Sequence, residues 1–347
     1  MTKLQSTQSK ILVLGPSWVG DMVLAQSLFK TLKLNEPNCI IDVAAPAWTL
    51  PLIERMSEVN KGIALPFKHG EFALFERIKF GKSLRNEAYT QAIILTNSLK
   101  SAILPFAANI PQRTSFLGEF RYGLVNDVRK LDKIKLPRTV DRFVTLGLNK
   151  RASLPDNIAN PSLIANKDNA LATLQKLGIP SPNSKILGLC PGAEYGEAKR
   201  WPAEYYAEVA REALSKGWLV WLFGSEKDIP VTTAINTLTN NRCVNLGGKT
   251  NLSEAIDLMS LCDNVISNDS GLMHVAAALD KKLVAIYGSS NPHHTPPMSD
   301  KAVVEYLAAD CSPCFKRECP LKAADENLKC LKRIEAKKII TSLNLSK

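Results

Sequence analysis

Short apolar runs recur along the chain and alternate with segments whose apolar positions repeat every three to four residues. The runs predict strands at 11–14, 40–44, 91–95 and 112–116, and the longer period predicts helices at about 20–33, 71–86 and 98–108. Around 150–182 the alternation is diluted by Pro155, Asn157, Asn160, Pro161, Pro180, Ser181, Pro182 and Asn183, although 168–177 keeps a helical pattern. A second series then begins with a strand at 185–190 and a helix from Pro202 to Lys216, stopped by Gly217. Strand 218–223 is apolar throughout, as in a strand buried on both faces, and helix 252–261, strand 264–267, helix 271–279 and strand 283–287 follow.

This alternation predicts an α/β protein of two doubly wound, Rossmann-like domains whose strand C-termini face a central cleft. The expected division is 1–165, 166–320 and a C-terminal segment, 321–347, helical and packing back on the N-terminal domain. A length of 347 residues suits two domains, and 45% apolar with 22% charged residues suits a folded chain. No run approaches the roughly 18 apolar residues of a membrane span, and the polar start, Met1 to Lys10, shows no secretory signal, so a cytoplasmic protein is expected.

The net charge of +11 is unevenly spread: residues 1–150 carry 21 Lys+Arg against 12 Asp+Glu, residues 151–347 carry 23 against 21. Such a field draws a nucleic acid, an acidic membrane face or a phosphorylated substrate, unless the lysines serve solubility alone. Four of eight cysteines crowd the end as Cys311-x2-Cys314-x4-Cys319-x10-Cys330. In a reducing compartment this leaves three readings open: a structural metal site, a redox-sensitive cluster or four unlinked thiols. A four-thiolate site has no open coordination position, so a catalytic metal is not expected.

Chemistry gathers where strands end. Gly15-Pro16-Ser17-Trp18-Val19-Gly20-Asp21 leaves a strand and opens a helix as a phosphate loop does, but an acid stands where the phosphate-binding lysine would be. Asp21 is therefore either a first-turn acid stabilised by the helix dipole or a group that takes a proton from a hydroxyl. In the second half, Asn268-Asp269-Ser270-Gly271-Leu272-Met273-His274 lies between a strand and a helix. Ser270 and Gly271 offer N–H groups to a phosphate, Asp269 suits sugar hydroxyls, and His274 follows one turn on; the bland alternative is an ordinary cap with a core-edge histidine. Lys199 and Arg200 precede the helix at Pro202. Cations are out of place at a helix N-terminus, which argues for a bound anion there. Glu226, after strand 218–223, stands where nucleotide-binding domains hold ribose, or is simply a first-turn acid.

Gly15-Pro16-Ser17-Trp18-Val19-Gly20-Asp21, Asp42-Val43-Ala44-Ala45-Pro46-Ala47-Trp48, Asn97-Ser98-Leu99-Lys100, Arg121-Tyr122-Gly123-Leu124-Val125-Asn126-Asp127, Lys199-Arg200-Trp201-Pro202 and Asn268 to His274 together resemble glycosyltransferase family 9, the lipopolysaccharide heptosyltransferases. The likeness runs in order from about residue 10 to 310. It implies a GT-B fold and inverting transfer of L-glycero-D-manno-heptose from ADP-heptose to the first heptose of the inner core on Kdo-lipid A. Alternatives are a different acceptor position or, less in keeping with the motifs, a basic nucleotide-binding module without transferase activity. The resemblance implies Asp21 as catalytic base, Lys199 on the diphosphate, Glu226 on ribose, Thr250 and Leu252 beside adenine, and Asp269, Ser270, Gly271 and His274 on donor sugar and phosphate. Relatives that add the first heptose carry a Thr-Thr pair where Glu194 and Tyr195 stand here, so phosphate contacts are not carried over to those two.

No cofactor or metal is called for. The N-terminal charge suits a phosphorylated lipid acceptor at the cytoplasmic face of the inner membrane, to which the protein would be peripheral, with Lys100, Arg113, Arg121 and Arg142 as acceptor contacts. A dinucleotide-dependent oxidoreductase is disfavoured because no Gly-x-Gly-x-x-Gly opens a helix, and a nucleic-acid module because aromatics are only 7%.

Overall fold

The structure is a computed structural model that describes residues 8–345 except His69. The chain divides into two units between Pro161 and Ser162, four residues before the expected boundary.

In the first unit the strands are β1 (Lys10–Leu14), β2 (Ile40–Pro46), β3 (Lys61–Leu65), β4 (Gln91–Ile94), β5 (Gln112–Phe116) and β6 (Asp127–Arg129). They pair in parallel in the order β3-β2-β1-β4-β5-β6, which reverses direction between β1 and β4. Ile11 to Leu14 are all buried because β1 is central and covered on both faces. On one face Leu12, Leu14, Ala92 and Ile94 meet Ala102 and Leu104 of helix Leu99–Ala107. Helix Val19–Asn35 packs on helix Thr139–Gly147, where Gly147 leaves room for Leu28: a Cβ there would sit 2.3 Å from its Cδ1.

The second unit repeats the plan with β7 (Ile186–Cys190), β8 (Leu219–Leu222), β9 (Val244–Asn245), β10 (Asn264–Asn268), β11 (Lys282–Tyr287) and β12 (Ala302–Tyr306). The order is β12-β11-β10-β7-β8-β9, again all parallel, reversing between β7 and β10. Helices at 203–215, 229–238, 252–259 and 271–278 connect the strands.

The periodicity reading did not locate β3, β6, β9 and β12. β9 has two residues and β6 three, while β3 and β12 are half-exposed, so none shows an apolar run. The C-terminal segment was expected to pack on the N-terminal domain; it is helical at Lys329–Lys332 and Ala336–Leu343, and these turns join the core of the second unit. Leu331, Ile334, Ile339 and Leu343 join Trp201, Tyr206 and Val209 in one buried cluster, and the Trp201 indole N–H donates to the Ile334 carbonyl at 2.8 Å. An apolar stripe goes to the nearest uncovered apolar face, which here is that of helix 203–215 and β11.

Leu331 is fully buried against Gly288, whose added Cβ would meet its Cγ at 2.5 Å. Leu331→Ala is expected to destabilise the second unit by about 2–5 kcal/mol in chemical denaturation. A loss under about 0.5 kcal/mol would show that the tail contributes nothing to that core.

Candidate active site

Residues singled out in the second unit stand at the C-terminal edge of its sheet, where a doubly wound fold opens at its strand-order reversal. Between β7 and helix Ala203–Ser215 runs the loop 191–202, which contains a short helical turn, Glu197–Lys199. Between β10 and helix Gly271–Ala278 lie Asp269 and Ser270, the latter at the N-cap without a side-chain cap bond of its own. First-turn N–H groups have no carbonyl within their helix and so face the sheet edge.

Asn268 joins these two loops. Fully buried at the end of β10, its side-chain oxygen accepts from the Trp201 N–H at 3.1 Å and the Tyr206 hydroxyl at 3.0 Å, and its amide donates to the Pro191 carbonyl at 2.7 Å. Trp201 and Tyr206 pack edge to face at 4.9 Å. The geometry beyond is set by charge. Lys199 Nζ reaches Asp269 Oδ2 at 2.5 Å, and the Ser290 hydroxyl, from the loop after β11, donates to the same oxygen. Arg200 pairs with Asp228 at 3.4 Å, and Asp228 accepts from the backbone and hydroxyl of Ser225. Gly192 permits this arrangement: a Cβ there would fall 2.3 Å from the Asp228 carboxyl carbon.

The two cations that argued for a bound anion thus meet protein carboxylates brought from 28 and 70 residues away. Lys199 remains 18% exposed, so its ammonium stands at the mouth of the site while Asp269 lies behind it at 5%. His274 is buried one turn into the same helix, and its Nδ1 has no hydrogen-bond partner among the described residues. Burial pushes its pKa down to about 4; Asp269 opposes that shift and Lys199 adds to it. The imidazole is therefore neutral near pH 7.

Glu226, Thr250 and Leu252 lie along the same sheet edge. Glu226 is exposed just past β8, Thr250 is half-buried past β9, and Leu252 opens helix Leu252–Met259. From β10 across β7 and β8 to β9 is three strand spacings, about 14 Å.

In the first unit Asp21 is the third residue of helix Val19–Asn35, half-buried, directly beyond β1. The Trp48 indole, beyond β2, donates to the Ser17 carbonyl at 3.0 Å and fixes the turn that leads to it. Three of the four expected acceptor contacts are tied to loop carbonyls. Arg121 is fully buried; one terminal nitrogen donates to the Thr96 carbonyl at 2.8 Å and the other to the Phe116 carbonyl and the Ser115 hydroxyl. Arg113 donates to the Leu124 and Ile110 carbonyls, both at 2.6 Å, and Arg142 to those of Leu136 and Pro137. A planar guanidinium with several donors suits tying irregular loops, and these three do that. Lys100 is second in helix Leu99–Ala107 and half-buried.

Asn268, Asp228 and Ser290 were not identified as site residues from the sequence. The signal available was positional: Asn268 ends a predicted strand, and Gly288-Ser289-Ser290 follows one with small residues at the same edge.

Two parallel sheets of this order, each reversing once at the edge where these loops gather, define a doubly wound α/β protein. The profile of glycosyltransferase family 9 (heptosyltransferase) matches residues 77–325, and the chain belongs to that family; it is a glycosyltransferase of the GT-B fold class. It is 48% identical over 304 residues to lipopolysaccharide heptosyltransferase 2 of Salmonella typhimurium, covering 85% of this chain and 87% of that protein. Lipooligosaccharide heptosyltransferase 2 of Haemophilus influenzae is 47% identical over 306 residues, with the same coverage. Among solved structures, E. coli ADP-heptose lps heptosyltransferase II superposes with a TM-score of 0.84 at 42% identity, over 96% of this chain and 97% of that one.

Because the folded state holds His274 at about 4 rather than 6.5, the unfolded chain takes up this proton first as pH falls. The neutral histidine's contribution is complete above pH 6.5 and is lost between there and about 4. His274→Gln is expected to remove on the order of 3 kcal/mol of stability loss from that window, read as the difference between the two proteins' unfolding free energies against pH. Parallel curves would sink the assignment.

Proposed function

We propose that this chain transfers L-glycero-D-manno-heptose from ADP-heptose, with inversion, to the first heptose of the lipopolysaccharide inner core on Kdo-lipid A. The observation that carries the reading is the Lys199 ammonium held on Asp269 at the open N-terminus of helix Gly271–Ala278. A diphosphate seated on that N-terminus meets the helix dipole and competes with Asp269 for Lys199. Drawn onto the ligand, Lys199 leaves Asp269 with Ser290 and free to accept from donor-sugar hydroxyls. Glu226 then faces ribose, and the stretch Thr250 to Leu252 borders adenine across the width of β7 to β9. The neutral His274 contributes an uncharged nitrogen beside the phosphates and so does not compete with Lys199 for them.

Transfer asks for two charge movements. As the glycosidic bond to ADP breaks, negative charge grows on the leaving diphosphate, and Lys199 with the helix N-terminus stabilises it. As the acceptor hydroxyl attacks the anomeric carbon from the opposite side, its proton becomes acidic and passes to Asp21, in a step worth roughly 10²–10⁴-fold in rate. Attack opposite the leaving group inverts the anomeric centre. Lys100 is the remaining cation of the first unit proposed to meet the acceptor's phosphates. Among the described residues no helix is long and apolar enough to cross a membrane. The excess of 21 cations over 12 acids in residues 1–150 supports peripheral attachment to an anionic inner-membrane face.

Incubated with ADP-heptose and mono-heptosylated Kdo-lipid A, the protein is expected to add one heptose, seen as a single mass increment; no increment with that acceptor and one with a different core would reassign the acceptor. Asp21→Ala is expected to lower kcat by about 10²–10⁴ while ADP-heptose binding stays within about twofold. Retained turnover would return Asp21 to a helix-terminal acid. Lys199→Ala is expected to weaken ADP binding about tenfold or more and to slow transfer, as loss of a charge-assisted contact does. Calorimetric titration with ADP checks it, and unchanged affinity would remove Lys199 from the site.

A further inference from the structure

The four C-terminal cysteines are not used by the reaction proposed above, yet the fold brings them to one place. Between β12, ending at Tyr306, and the helical turn at Lys329 runs a stretch with no regular helix or strand. Cys311, Cys314 and Cys319 from this stretch and Cys330 from the turn line a single cavity of about 20 Å³, closed by Ala198 and Ser289 among others. That volume admits one small ion or one water and no organic ligand. Its walls are mostly apolar, with the four sulfurs among them. All four sulfurs are free thiols.

We propose that these four cysteines form a structural tetrathiolate site for a thiophilic divalent cation, of which zinc is the natural probe. The first pair has the Cys-x2-Cys spacing of such sites, and four thiolates close the coordination sphere. As placed, the sulfurs line the cavity walls without meeting around one point; among the described residues no three His, Cys, Asp or Glu side chains already surround a metal position. Each cysteine has a single χ1 torsion with three staggered wells, and rotation into the cavity draws the sulfurs together as the metal enters and the thiol protons leave to solvent. Two surroundings suit the filled site. The Leu328 N–H already points to Cys319 Sγ at 3.3 Å, the kind of second contact that stabilises a thiolate. Residues 311–333 carry six Lys+Arg against three Asp+Glu, and this excess offsets the double negative charge of a divalent ion with four thiolates.

The loop so stapled braces the site that holds Lys199. Its Arg317 carbonyl accepts from the Ala198 N–H at 3.0 Å, its Phe315 carbonyl accepts from the Tyr195 hydroxyl at 2.8 Å, and its Phe315 N–H donates to the Ser289 carbonyl at 2.8 Å. Gly196 lies so close that a Cβ would meet the Arg317 oxygen at 2.3 Å. The metal therefore acts at a distance from the reacting atoms, by fixing the backbone on either side of Lys199 and Ser290; this second claim rests on the donor-site reading given above.

The test uses the full chain, purified reduced and without chelator, loaded with zinc alone or cobalt alone and desalted. About one metal per chain is expected, with thiolate-to-cobalt charge-transfer absorption and the visible bands of a tetrahedral site. Cys314→Ser with Cys319→Ser is expected to cut retained metal at least tenfold, whereas Cys243→Ser, buried elsewhere, leaves it unchanged. Retention under about a tenth of an equivalent in the wild type, metal unaffected by the paired substitution, or disulfides among the four in the protein as purified would each overturn the site; the cobalt spectrum of the wild type decides even if the variant fails to fold. Stripping the metal is expected to raise the Kd for ADP about threefold or more. Unchanged ADP affinity with a filled site would overturn the bracing role alone, and absence of ADP binding in both states would fall on the donor-site reading instead.

Discussion

The second unit depends on one buried side-chain amide. Asn268 ends the strand from which helix Gly271–Ala278 departs and holds the backbone of the neighbouring loop at Trp201 and Pro191, across the point where strand order reverses. A parallel sheet opens a crevice at such a reversal because the helices on its two sides diverge. Left to itself the crevice would be loose, with buried N–H and C=O groups lacking partners at a cost of about 1–3 kcal/mol each. Asn268 supplies both a donor and an acceptor at that place, which no apolar residue could do.

On that tie rests a balance of charges. Lys199, Asp269 and Ser290 come from three different loops and meet at one carboxylate oxygen. Partial burial makes this pair costly to leave unpaired; in the proposed reading a ligand anion takes the place of the carboxylate beside the ammonium, while Ser290 stays with the carboxylate. The lysine thus waits in a defined position without needing the ligand to hold it there. A preset cation loses less side-chain freedom on binding than one free in solvent. Arg200 and Asp228 act one step behind, fixing the loop from the side of β8.

Much of this was legible in the sequence where a property is local. Ile11 to Leu14 and Leu219 to Leu222 read as buried strands because such strands are apolar on both faces, and helix 203–215 announced itself by Pro202 and Gly217. The placement of Asp21, Lys199 and Ser270 beyond strands followed from the same alternation. Edge strands such as Lys61–Leu65 escaped because half their side chains face solvent. The partners of Lys199 and Arg200 escaped for another reason: chain spacing does not tell which carboxylate a fold brings beside a cation. The carbonyls that hold Arg113, Arg121 and Arg142 escaped likewise, since an arginine tied to loop carbonyls and one waiting for phosphate are spelled alike.

The tail was misplaced for a thermodynamic reason that bears on the site. Its apolar residues pack on helix 203–215 and β11, the elements that follow the loop of Lys199 and precede the loop of Ser290. The Trp201 indole, which lies between Asn268 and this tail, donates to Ile334 and so connects the amide tie to the chain's end. The stretch of Cys311 to Cys330 must pass from β12 to that docking point with little core of its own, and backbone fixed without burial is stabilised weakly. Its hydrogen bonds to Ala198, Tyr195 and Ser289 hold only if the stretch itself is held. Burial of Leu331 anchors one end; whatever draws the four sulfurs together anchors the middle, and the rigidity of the lysine loop follows from both.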